Sequence, residues 1–138
     1  MSAPLLLDTC AALWIMEDAE IRPEAVDAID RAADQREPVY VSPIIGWEIG
    51  LLAWKGRFKS SFSPQRWLEQ LLARRQIALA DMPPHVLLQS SLLPGTPPAD
   101  PADRIIAATA REYGYRVVTR DRALLAYAAQ GHLAAIAC

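Results

Sequence analysis

Residues 100–110 read DPADRIIAATA, two aspartates on the threshold of an apolar helix. Asp100 has the type and place of an N-cap. Pro101 fits the first helical position, where a missing N–H costs nothing, and Asp103 faces the positive end of the helix dipole two residues later. That reading needs no chemistry. Three further acids supply an alternative: Asp8 ends the apolar run PLLLD, Asp121 follows VVT by two residues, and Glu48 lies inside SPIIGWEIGLLAWKG. Asp8 and Asp121 can each cap a helix too. Glu48 is different, because Ile44, Ile45, Trp47, Ile49, Leu51, Leu52 and Trp54 leave its helix no polar stripe, so burial on most sides is expected. An ionised carboxylate there is costly unless compensated. A salt bridge with a residue elsewhere is one compensation, and a metal ion is the other.

Drawn together, four carboxylates would raise one another's pKa values and oppose folding. A hard divalent cation reverses that sign, and an all-oxygen set suits Mg²⁺ or Mn²⁺ rather than zinc. His85 and His132 fall at ordinary loop or surface positions, so a nitrogen-ligated site is not expected. Carboxylates that leave coordination positions for water and phosphate suit phosphodiester hydrolysis.

The elements that must position these acids can be read from the same chain. Short apolar runs at 4–8, 38–42, 76–82, 115–119 and 132–137 read as strands. Helical patterns lie between them: one after Asp8 and Thr9, one over 23–35 with Val26, Ile29 and Ala33 on a face, one through Glu48, and one over 63–75 opened by Ser63 and Pro64. Further helices are expected over 84–92, from 101 to about 113 with Gly114 as C-cap, and over 122–129. Six of the eleven prolines fall between 82 and 101, which predicts an ordered loop before Asp100. Strands that are continuous apolar runs alternating with helices imply a three-layer α/β/α domain with a central, mostly parallel sheet of four to five strands. Ligands of such sheets bind beyond the carboxyl ends of the strands, where Asp8, Asp103 and Asp121 are expected.

With 138 residues, 52% hydrophobic and 22% charged, the whole chain is expected to be one globular domain. A net charge of −2 means that contact with nucleic acid must come from a local basic patch. Cys10 and Cys138 are too few for a disulfide framework, which suggests a reducing compartment, and Cys10 is expected simply to pack. No run approaches the ~18 apolar residues of a membrane span, and Asp8 interrupts the first apolar stretch. A soluble, cytoplasmic protein is the expectation.

LLLDTCAALW, SPIIGWEIG, DPADRIIAATA and VVTRD, in this order, resemble the PIN-domain ribonucleases, and specifically the VapC-type toxins of bacterial toxin–antitoxin pairs. The resemblance runs nearly end to end and implies a PIN-like fold and an endoribonuclease dependent on Mg²⁺ or Mn²⁺. It maps the acidic centre onto Asp8, Glu48, Asp103 and Asp121, as catalytic residues and metal ligands, with Asp8 and Asp103 as the principal ligands. Asp100 is then the cap, with a supporting place beside the site. Thr119 would orient an acid or the scissile phosphate, and Thr9 would be an N-cap whose hydroxyl supports the site. In-line attack leaving a 5′-phosphate and a 3′-hydroxyl is part of the implication. So are an RNA substrate, a cognate antitoxin partner and a homodimer.

Ala102, Pro98 and Ala99 depart from the family pattern of an aromatic and a basic or histidine residue, which touches the expected substrate rim. Arg104, Arg120 and Arg122 adjoin the acids and can reach a bound phosphate, or can be solvated helix-end charges. WKGRFK (54–59) can meet RNA, an acidic antitoxin segment or water, while Trp14, Trp47 and Trp54 offer apolar surface to a partner unless the core takes them all. Rival readings fare worse. An aspartyl phosphatase wants a second aspartate where Cys10 stands, and a phospho-receiver wants paired acids at the first strand and a lysine after the last. A catalytically silent module that only binds an antitoxin or RNA has no need of four matched acids.

Overall fold

A computed structural model describes residues 3–138. The elements in chain order are β1 (Leu5–Leu7), α1 (Thr9–Met16), α2 (Pro23–Asp34), β2 (Val39–Val41), α3 (Ile44–Trp54), α4 (Pro64–Ala73), β3 (Ile77–Leu79), α5 (Pro84–Ser90), α6 (Pro101–Tyr113), β4 (Arg116–Thr119), α7 (Arg122–Ala129) and β5 (Ala134–Ala137). Proline opens α2, α4, α5 and α6, its ring already set to the helical φ. Ser63 caps α4 by accepting the Arg66 N–H at 3.2 Å. Gly114 ends α6 at φ 72°, a left-handed turn that a side chain would strain.

All neighbouring strands pair in parallel, in the order β3-β2-β1-β4-β5. Leu5 pairs with both Val39 and Arg116, and Leu7 with both Val41 and Val118. The chain therefore starts in the middle, winds outward to β3, and returns to the other side of β1 through β4. The switch point lies between β1 and β4, where the carboxyl ends diverge into a crevice. Because successive strand residues face opposite ways, Leu5 and Leu7 join the core beneath α1 to α4, while Leu6 joins the one formed with α6 and α7. A strand with both faces covered must be apolar throughout, which is why β1 reads LLL.

The proline-rich segment is ordered by hydrogen bonds, as expected. Tyr127 donates its hydroxyl to the Pro94 carbonyl at 2.6 Å, and Gln130 Oε1 accepts the Thr96 N–H at 3.0 Å. Gly95 takes φ 69° and a Cβ there would stand 2.5 Å from His132 Nε2, so a side chain would be strained and would displace His132.

Two helices differ from the sequence expectation. α2 turns Ala25 and Ala32 inward rather than Val26 and Ala33, which are exposed, because the small side chains let the helix lie close to its neighbours. α3 is not buried on most sides: only Ile45 and Ile49 are wholly enclosed, while Trp47 is 50% and Trp54 83% exposed. Its apolar outer face meets solvent.

Candidate active site

Asp8 leaves β1 with its N–H donated to the Val118 carbonyl at 3.2 Å, which holds it against the end of β4. Its Oδ1 accepts the Ala11 N–H at 2.7 Å and so caps α1, and its Oδ2 accepts the Thr119 hydroxyl at 2.5 Å. Asp8 is only 3% exposed, so these bonds offset part of its desolvation. Thr9, expected as the cap, is instead the first helical residue, since the aspartate before it already holds the capping geometry. The Thr9 hydroxyl is thereby free, and it donates to Glu48 Oε1.

Glu48 is half-buried on α3. Among the described residues no Lys or Arg pairs with it, the single ion pair being His85–Glu112 at 3.1 Å. The salt-bridge reading of Glu48 is therefore not what the fold provides. Asp100 caps α6, its Oδ1 accepting the Asp103 N–H at 3.1 Å. Asp103 then stands on the first turn, half-buried. Asp121 caps α7 through the Leu124 N–H at 2.9 Å, and its own N–H donates to Thr119 Oγ1 at 2.9 Å.

These groups feel one another. Burial holds the Asp8 carboxyl above its usual range against the pull of Thr119 and Ala11, with Asp121 adding to the rise. Glu48 is raised by burial and then by Asp100 and Asp8, while the Thr9 hydroxyl opposes. Asp103 is pushed up to about 7 by burial and then by Asp121, Asp100, Glu48 and Asp8, and nothing opposes the rise. Like charges on one rim disfavour ionisation. The all-oxygen donor set and its net negative potential, offset only in part by Arg120 beside Asp8, fit a hard divalent cation. Among the described residues no three acidic, histidine or cysteine side chains stand in a closed ligand cluster, and Asp8, Glu48 and Asp121 each turn an oxygen to a protein donor instead.

The PIN domain family model matches residues 5–130. The chain belongs to the PIN-domain family. Within it the chain is of the VapC type: Ribonuclease VapC22 of Mycobacterium tuberculosis is 34% identical over 124 residues, 90% of this chain and 91% of that relative. The fold is that of the VapC-containing structures. VapBC2 from Rickettsia felis, bound to a promoter DNA fragment, superposes with a TM-score of 0.68 at 14% identity, over 96% of this chain and 97% of that one. DNA-bound VapBC from Salmonella typhimurium gives 0.63 at 21% identity, over 99% and 98%.

In this PIN domain Asp8, Glu48, Asp103 and Asp121, drawn from four segments, lie within one another's electrostatic reach, with Asp100 beside them. Arg104 does not join them. Its Nε donates to the Ser90 carbonyl at 2.9 Å and its Nη1 to the Pro98 carbonyl at 3.1 Å, so it braces the proline-rich loop. Arg120 stays beside the site, its charge acting on Asp8. Of the three positions the sequence set on the substrate rim, Ala102 and Pro98 are buried and Ala99 is exposed.

Cys10 is another residue that sequence reasoning misplaced. It is exposed rather than packed, at the second position of α1. Partial burial of the sulfur, and then the charges of Asp8, Glu48, Asp103 and Asp121, push its thiol up to about 11. The signal was its place two residues after Asp8, where a helix beginning at a strand end presents its first turn to the crevice.

Proposed function

We propose that this chain is a one-domain, divalent-metal-dependent endoribonuclease of the cytoplasm, the toxin of a toxin–antitoxin pair. Its strongest support is that Asp8, Glu48 and Asp103, from three segments, are held at one strand-end crevice where burial first and the neighbouring acids second raise their proton affinity, a cost that a bound cation offsets. Asp8 and Asp103 would be the principal holders of Mg²⁺ or Mn²⁺, with Glu48 and Asp121 completing the charge. A divalent ion held there supplies neutralisation of the phosphate and a lowered pKa for the attacking water. The protein's own part is to orient. Thr119 fixes one Asp8 oxygen, Thr9 fixes one Glu48 oxygen, and the caps hold Asp103 and Asp121 at helix N-termini.

VapC22 is named a ribonuclease, and two structures with this fold are VapBC proteins bound to DNA, which supports the same assignment here. The exposed Trp47 and Trp54 on α3 supply apolar area for the antitoxin or for a second copy in a homodimer. The deciding experiment is cleavage of structured and unstructured RNA with Mg²⁺, with EDTA, and with Asp8→Asn. Cleavage only in the first condition is expected. Cleavage that survives chelation removes the metal, and no cleavage of any RNA removes the enzyme.

A further inference from the structure

Beside the acids lies a groove of about 680 Å³ between the α1–α2 connection, the start of α7 and the end of β5. Arg22, Arg120 and Arg122 line it, against a single acidic side chain, Glu20, and its apolar surface includes Ile21 and Leu125. We propose that this groove carries the RNA strand away from the catalytic crevice, with Arg22, Arg120 and Arg122 on consecutive phosphates and the apolar floor under ribose and base.

Continuity with the crevice comes first. Cys138 on the groove wall donates its N–H to the Thr119 carbonyl at 3.0 Å, and the Thr119 hydroxyl holds Asp8, so the groove and the acids share an edge. Arg120 is preset for the task. Its Nε donates to the Cys138 carbonyl at 3.1 Å and its guanidinium sits 3.4 Å over the Trp14 ring, which fixes the fork while leaving its terminal nitrogens for a phosphate. Arg22 and Arg122 are exposed, and among the described residues neither is ion-paired. Arg22 stands at the N-cap of α2 without any capping bond from its side chain, so helix formation does not explain its charge.

The overall charge argues in the same direction. A chain of net −2 with an acidic crevice repels a polyanion, and only a local cationic track holds one there. An acidic peptide shares that charge. The groove's edge against Thr119, which holds Asp8, favours the nucleic acid, whose scissile phosphate must reach those acids.

The inference rests on the ribonuclease reading, and binding can be measured apart from cleavage. The probe is a fluorescein-labelled RNA oligonucleotide of mixed sequence, followed by anisotropy over a salt series in Ca²⁺ in place of Mg²⁺, with gel analysis confirming that it stays uncut. Arg22→Gln and Arg122→Gln are each expected to weaken binding several-fold and to lower the salt slope by about 0.7 per arginine removed. Arg22→Lys should restore part of the affinity, and on cleavable RNA the loss should appear in KM. Arg75→Gln, at the far edge of the sheet, is the control expected to bind as wild type, with unchanged melting in all variants showing intact folds. Wild-type binding by both glutamine variants overturns the groove, even if RNA is cleaved. Loss of binding in the variants when no RNA is ever cleaved sustains the groove and removes the nuclease instead. Variants that bind RNA normally but lose a co-expressed antitoxin mark a protein-docking surface and also overturn the proposal.

Discussion

Thr119, wholly buried at the end of β4, donates its hydroxyl to Asp8 Oδ2 at 2.5 Å and accepts the Asp121 N–H at 2.9 Å. One side chain thus ties the carboxyl end of β1 to the start of α7. Thr119→Val keeps the shape and removes both bonds, leaving a buried carboxylate oxygen and an N–H unpaired, at a cost of about 1–3 kcal/mol. A lower melting temperature and slower RNA cleavage are expected, with Thr119→Ser recovering most of both. Loss of stability with cleavage intact would show that the hydroxyl serves the fold alone.

The two aspartates of DPADR should separate cleanly. Asp100→Ala removes the cap bond to the Asp103 N–H and should destabilise by about 1 kcal/mol while leaving most cleavage. Asp103→Asn removes a charge that four other acids oppose, so the metal-free protein should melt higher at pH 8 while cleavage disappears. Thermal melts and a cleavage assay on the two variants decide it. An Asp103→Asn protein as active as wild type removes Asp103 from the chemistry.

The pH dependence follows from the same residue. The Asp103 carboxyl ionises near 3.8 in the unfolded chain and at about 7 in the folded one, so the folded state holds the extra proton between those values. Its contribution to stability is complete below about 3.8 and is lost as pH rises through 7. In EDTA, the melting temperature of wild type minus that of Asp103→Asn should therefore fall from pH 5 to pH 8. Adding Mn²⁺ at pH 8 should raise wild type and not the variant, because the ion binds the folded state preferentially. A difference that stays flat from pH 5 to 8 would contradict the assignment.

Local chemistry made much of this protein legible. LLL, VYV and RVVT have to be strands covered on both faces, since nothing else hides such short apolar runs between helices. Asp100, Ser63 and Gly114 cap as their types require, because capping depends only on bonds within a few residues. The family's four acids could be picked out for the same reason, each sitting in its own short motif.

What lay beyond the sequence was every choice made by contact between distant segments. The hydroxyl of Thr9 reaches Glu48 across 39 residues, and that of Thr119 reaches Asp8 across 111. Arg104 could not be told from Arg120 by its neighbours in the chain, yet one braces a loop of carbonyls and the other lies on Trp14 beside the acids. The apolar α3 looked buried because composition counts side chains and not the neighbours available to cover them, and Trp54 is left 83% exposed among the described residues. Composition and spacing therefore determined the elements and the chemical character of the residues. Only tertiary packing decided which of them meet, because a side chain's partner, its water and its proton are set by whatever the fold brings alongside.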